Sequence, residues 1–322
     1  MKRIAWIEPE GIDGALAAGA QPGALFKAGG VDVADRLKEG IDAPEALVNL
    51  RGLRELDFLK AEMGTLAIGP LVTLARLAAD PTVRSTARAL ADAALQAATP
   101  QIRNMATLGG NIAQRPRCWY FRNQLFHCKK KGGTTCYAQE GEHQFHAVWD
   151  NDVCAAVSGS ATATALVALG AAATVKSTQG ERTMPVEDLF VRASEDCEKE
   201  HKLKPGELIV AVRVPQRKHS AYIKLMEKQS FDWPLVEAAV ALTLEGAFVR
   251  EARVVLGAVA HTPRRALEVE KRITGQTLDD LVLDEAVKLA AQGATPLPRN
   301  KYKLPLVEVA VRRALVAARE GA

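Results

Sequence analysis

At 322 residues, 48% hydrophobic and 25% charged, the chain has ordinary globular composition and length enough for two domains or three. Its 42 lysines and arginines against 38 acidic residues leave a net charge of +4, which excludes a global nucleic-acid signature; any cationic effect must be local. The most apolar stretch, 161–175, is about fifteen alanine-rich residues, short of the ~20 that cross a bilayer, so no membrane span is expected.

Lys2 and Arg3 open the chain, but Glu8, Glu10 and Asp13 interrupt any signal-peptide apolar region. The chain by itself carries no export signal, which leaves a cytoplasmic protein or one exported to the periplasm on a partner. Residues 1–56 read as short α/β units: a strand at 4–7, a helix at 12–18 stopped by Gly19, a strand at 24–28 running into Gly29-Gly30, a helix at 33–39 and a strand at 46–50. Residues 57–176 read as a second unit. It holds a strand, turn and strand start at 66–71, then an amphipathic helix at 81–98 with Asp80 as N-cap and Pro81 in first position. The segment 101–160 carries glycines and cysteines with little apolar periodicity, with 102–105 extended, and is too long for a simple connection. An apolar helix at 161–169 and a strand at 172–176 follow. The clearest seam is 202–218, charge-rich and holding Pro205-Gly206 and Pro215. Beyond it, 236–245 and 251–260 read as paired strands, and 281–291 and 304–319 as closing helices. There is no internal repeat and no low-complexity tract.

Two glycine turns suggest chemistry. Gly29-Gly30 lies between a strand and a helix, where backbone N–H groups can approach an anion and the helix dipole favours it. The Rossmann glycine spacing is absent. Thr107-Leu108-Gly109-Gly110-Asn111 offers a hydroxyl, two close-approach positions and an amide. Two such turns, about 80 residues apart, suit a long dinucleotide held at two places, although two independent structural turns explain the spacing as well.

Five cysteines are present, and Cys118, Cys128, Cys136 and Cys154 fall within 37 residues. An odd, clustered set favours metal over a disulfide framework. The spacing is neither a zinc ribbon nor a compact ferredoxin run, but cluster ligands need only converge in space. Arg115, Arg117, Arg122, Lys129, Lys130 and Lys131 lie among these cysteines and could offset the charge of four thiolates, or form a solvated face. His127, His143 and His146 keep a mixed-ligand zinc site open. Cys197, in the acidic run 194–198, reads as incidental.

Together the motifs resemble the FAD-binding medium subunits of the xanthine dehydrogenase and molybdenum hydroxylase family. The matching pieces are Lys27-Ala28-Gly29-Gly30-Val31-Asp32, residues 47–53, residues 68–74 and Thr107-Leu108-Gly109-Gly110-Asn111, then residues 203–209, Val214-Pro215, Tyr222-Ile223-Lys224 and residues 257–266, in the family's order. Residues 110–122 resemble the subset whose flavin subunit carries an additional 4Fe–4S cluster, as in periplasmic aldehyde oxidoreductases and 4-hydroxybenzoyl-CoA reductase. The resemblance implies an α+β fold: a two-part FAD-binding domain of the vanillyl-alcohol-oxidase/PCMH type over 1–215, with a 4Fe–4S loop at about 112–158, and a smaller C-terminal α+β domain of the CO dehydrogenase flavoprotein type over 216–322.

It further implies FAD held by Lys27, Ala28, Gly29, Gly30, Val31, Asp32 and Val33, by Thr107, Gly110 and Asn111, and near Lys224. Cys118, Cys128, Cys136 and Cys154 would hold the cluster. The partners would be a large molybdopterin subunit and a small subunit with 2Fe–2S clusters. This chain would then transfer electrons and need no catalytic acid, base or nucleophile, and none with persuasive spacing is found. One departure stands out: Ser158-Gly159-Ser160-Ala161-Thr162-Ala163 lacks the family's flavin-contacting Asp before the alanine-rich helix. The rival expectations are a free-standing FAD oxidoreductase and a zinc-stabilised binding module, for RNA, built on 115–131.

Overall fold

Each short N-terminal strand is followed by a helix that returns the chain to the same end, so these units close as a parallel sheet. The computed structural model describes residues 3–321. The N-terminal sheet runs in the order Ala5–Ile7, Ala46–Asn49, Ala24–Lys27, with Phe26 beside Val48 and Lys27 beside Asn49. Helix Ile12–Gly19 packs on it.

A five-stranded antiparallel sheet follows, ordered Leu59–Glu62, Thr65–Ile68, Leu208–Pro215, Ala172–Ser177, Gly180–Pro185. Its central strand, Leu208–Pro215, lies inside the stretch that proline, glycine and charge made look like a seam. Those residues surround the strand, while Leu208, Ile209, Val212 and Val214 are buried. The C-terminal sheet is also antiparallel, ordered Arg264–Arg265, Phe248–Gly257, Pro234–Glu245, His219–Met226. The chain changes sheets between Pro215 and His219.

Helix Ala161–Leu169 is apolar all round because it is covered all round. It packs against helix Arg88–Gln96, the strand Leu208–Pro215 and two strands of the C-terminal sheet. Ser160 caps its start and Gly170, in the left-handed region, ends it. Strand Pro234–Glu245 is buried on both faces. Ala239 and Ala241 join the core around Ala161–Leu169, while Ala238, Val240 and Leu242 join a second core beneath the closing helix Lys303–Glu320.

Several local expectations differ from the structure, among them the helix expected over 281–291, which ends at Val287, and the strand start expected by residue 71, where the strand ends at Ile68. The helix expected over 81–98 is two, Pro81–Thr86 and Arg88–Gln96, because Ala87 leaves the helical region at φ −147°. Residues 102–105 are not extended but lie in helix Pro100–Met105, started by Pro100 and capped by the Thr99 hydroxyl. The second of the paired strands runs Phe248–Gly257, not 251–260; Ala258, at φ 58°, stops it. Segment 112–158 is largely irregular, with one 3-10 turn at Lys129–Lys131.

Candidate flavin cleft and cysteine site

A cleft of about 730 Å³ opens where the two glycine turns meet, within the usual range for a cofactor pocket. Helix Pro100–Met105 brings them together: a Cβ on Gly29 would sit 1.9 Å from the Met105 carbonyl oxygen. Gly30, at φ 82°, is the residue before helix Val31–Lys38, whose first N–H groups have no partner inside the helix. Ala28, Gly29, Gly30, Val31, Asp32 and Val33 all line the cleft, as do Thr107, Gly110, Asn111 and Lys224. Lys27 does not. Its ammonium turns to Asn49 Oδ1, 3.1 Å away, and lies over the Trp6 ring.

Several of these side chains have structural partners already. Thr107 Oγ1 accepts from Gly110 N at 3.2 Å, capping the short helix Leu108–Ile112. Asn111 Oδ1 accepts from Ser160 Oγ and Thr162 Oγ1, at 2.8 and 2.6 Å, and so pins the start of helix Ala161–Leu169. Where the resemblance marks a missing Asp, Gly159 and Ala161 line the wall. Lys224 Nζ donates to the carbonyls of Gln96 and Asp232, tying the end of helix Arg88–Gln96 to the loop that carries Trp233. Sequence reasoning missed Glu237 at this end. It is 3% exposed, accepts from Thr164 Oγ1 at 3.1 Å, and burial pushes its carboxyl up. A lone acid inside the apolar run 234–242 was the available signal.

The four clustered cysteines converge. Cys118, Cys128, Cys136 and Cys154 line one small cavity with Tyr120, Phe121, Tyr137 and Lys130. None is in a disulfide. Among the described residues, no three His, Cys, Asp or Glu side chains are grouped so as to hold a single metal ion. Burial pushes the Cys118 thiol up to about 11, and His146 Nε2 lies 3.2 Å from its sulfur. Cys197 is not isolated: it packs against the buried cluster of Cys154, Ala156 and Ala193. Of the other histidines, His143 turns its Nδ1 to the Ala138 carbonyl, and Arg299 N donates to its Nε2.

The basic residues of this segment are mostly not a free surface. Asp32 accepts from Arg115 N at 3.2 Å and is ion-paired with Arg117 at 2.9 Å, Arg122 at 2.7 Å and Arg36 at 3.0 Å. Burial raises the Asp32 carboxyl, but these guanidinium groups outweigh it and hold the carboxyl below its usual range. Arg117 and Arg122 reach Asp35 and Glu39 as well. Residues 115–131 therefore fasten the cysteine segment to the first glycine turn, which removes the cationic face an RNA-binding module would need. The other side is held by the C-terminal part: Asn300 Nδ2 donates to the Ala147 carbonyl, Lys303 Nζ to those of Phe145 and Ala258, and Val148 N to Val259 O.

Comparison with known proteins shows the family and the fold. Residues 2–217 match the model of the FAD binding domain in molybdopterin dehydrogenase, and residues 221–318 that of the CO dehydrogenase flavoprotein C-terminal domain. The chain is 33% identical over 318 residues to the aldehyde oxidoreductase FAD-binding subunit PaoB of Escherichia coli, covering 96% of both chains. It is 27% identical to the carbon monoxide dehydrogenase medium chain of Afipia carboxidovorans, over 92% of this chain and 88% of that one. The carbon monoxide dehydrogenase structure from Hydrogenophaga pseudoflava superposes with a TM-score of 0.78 at 25% identity, over 100% of this chain and 99% of the other. The chain thus belongs to the FAD-binding, electron-transferring subunits of the molybdenum hydroxylase family, and is an oxidoreductase subunit built of an FAD-binding domain and a CO-dehydrogenase-type C-terminal domain.

Proposed function

We propose that this subunit carries two redox centres: FAD in the cleft and a 4Fe–4S cluster on Cys118, Cys128, Cys136 and Cys154. The observation that carries the reading is the convergence of all four thiols on one small cavity beside the flavin cleft. A single zinc ion is the weaker fit, since no three potential ligands close to single-ion geometry among the described residues. Soft sulfur donors in a wall of aromatic rings suit iron and sulfide.

The backbone of the turn Lys27–Val33 would hold the FAD pyrophosphate, with Gly29 and Gly30 allowing close approach. Thr107, Gly110 and Asn111 would form the second hold, partly by fixing the turn itself. Lys224 would act through the mouth loop that it secures. FAD supplies one- and two-electron chemistry when bound, and the cluster supplies one-electron transfer. The chain's own residues position both groups and exclude water.

The likeness to an aldehyde oxidoreductase subunit supports an aldehyde, or an aromatic or heteroaromatic compound, as the substrate oxidised on a large molybdopterin partner. A small 2Fe–2S partner completes the assembly, in a heterotrimer or a multiple of it. Anaerobic purification tests the reading. Wild-type protein should show flavin absorbance at about 450 nm together with iron and acid-labile sulfide. Cys118→Ser and Cys154→Ser should lose the sulfide and keep the flavin. Wild-type protein with flavin but neither iron nor sulfide would leave a flavin-only subunit, and purification without larger and smaller chains would favour a free-standing FAD oxidoreductase.

A further inference from the structure

One group of charged side chains spans the wall between the cysteine cavity and the cleft. Lys130, only 3% exposed, lines the cysteine cavity, and its Nζ lies 2.7 Å from Glu200 Oε1. Glu200 lines the cleft and also accepts from Arg115, Nε to Oε2 at 2.9 Å and Nη2 to Oε1 at 3.3 Å. Arg115 lines the cleft too, with its guanidinium 4.5 Å over the ring of Phe121, a wall of the cysteine cavity.

The charge of this group does not balance within itself. Arg115 alone would neutralise Glu200, yet a second cation is buried on the same carboxylate. Burying an ammonium is costly unless an anion answers it. Burial raises the Glu200 carboxyl, but Lys130 and Arg115 hold it below its ordinary range, so one carboxylate answers two cations. Arg117 and Arg122 are committed to Asp32, Asp35 and Glu39. The surplus faces the cavity where four thiolates would place negative charge.

We propose that Lys130 is the charge-compensating positioning residue of the cysteine-bound centre, and that Lys130, Glu200 and Arg115 form a fixed charge bridge coupling that centre to the flavin cleft. The inference rests on the cluster reading above. A neighbouring ammonium favours the more negative, reduced state of the centre, and a neighbouring carboxylate disfavours it. The two ends of the bridge therefore act on the centre with opposite sign.

The test is an EPR-monitored redox titration of the copurified complex. Lys130→Gln keeps a hydrogen-bond donor for Glu200 and removes the charge; it should lower the midpoint potential of the 4Fe–4S signal. Glu200→Gln should raise it, and should shift the flavin potential in the same direction. Lys130→Arg should restore the wild-type value. Opposite shifts support the bridge; shifts of the same sign, or a K130Q potential equal to wild type, overturn it. If K130Q fails to assemble, E200Q decides alone: an upward shift supports the bridge, and an unmoved or lowered potential overturns it. A wild-type complex with no 4Fe–4S signal would instead overturn the cluster reading itself.

Discussion

At Gly29 a side chain as small as a methyl group would meet the Met105 carbonyl oxygen at 1.9 Å, and that oxygen is backbone that cannot rotate aside. Gly29→Ala must therefore push the first glycine turn away from helix Pro100–Met105 and spread the two turns proposed to hold FAD. We expect a loss of about 1–3 kcal/mol, the usual cost of overpacking, and a lower flavin-to-protein ratio after gel filtration. A variant that keeps full flavin content would show that the turns need not touch. At Gly30 the obstacle is conformational rather than steric crowding by backbone: φ of 82° suits glycine, and an L-residue there costs roughly 1–2 kcal/mol. The same residue scale separates Lys27 from its neighbours. The motif includes it, but its ammonium is spent on Asn49 and Trp6, and it lies outside the cleft lining that Ala28 to Val33 form.

At the scale of elements, the irregular segment 112–158 keeps one shape because both of its flanks are tied down. On one flank Asp32, in the first turn of helix Val31–Lys38, gathers Arg36, Arg117, Arg122 and the Arg115 amide. Asp32→Asn leaves buried guanidinium groups undercompensated, and we expect a loss of about 3 kcal/mol, with faster hydrogen exchange across 112–125. The sign with pH follows from the lowered carboxyl. The folded state prefers the ionised form, so the stabilisation is complete above the unfolded carboxyl value of about 4 and is lost as pH falls through the lower folded value. Acid unfolding of D32N should lack that slope. If wild type and D32N lose stability in parallel below pH 4, the network does not hold the loop.

At the scale of the whole molecule, the other flank is the C-terminal part, and Lys303 is its anchor. Lys303 is fully buried at the start of the closing helix, bonded to the carbonyls of Phe145 and Ala258, and burial lowers its ammonium to about 7. An unfolded chain holds that proton up to about pH 10. Between these values the unfolded state binds more protons, so this residue makes stability rise with pH; below pH 7 its penalty is present in full. Lys303→Met should therefore narrow its urea-midpoint deficit as pH falls from 9 toward 7. A constant difference between the two proteins over that range would rule out a titrating lysine. Among the described residues no helix is long and apolar enough to cross a membrane.

Much of this molecule was legible before its structure, for reasons that can be stated. The N-terminal α/β units, the apolar helix at 161–169 and the closing helices carry local signals, such as period, caps and stops, that survive into the fold. The ordered motifs carried the family, and the clustering of four cysteines marked residues that the fold brings to one cavity. Strand Leu208–Pro215 could not be read, because a strand central to a sheet is defined by neighbours far along the chain, and its own flanks are proline, glycine and charge. Nor could the sequence show that Asp32 answers three arginines, that Glu237 is buried in the cleft wall, or that Lys130 and Glu200 meet across 70 residues. Local pattern marked many of the elements, and the resemblance carried by the ordered motifs gave the cofactor chemistry to expect. Only tertiary packing decided which charges lost their water, and so which of them must answer one another.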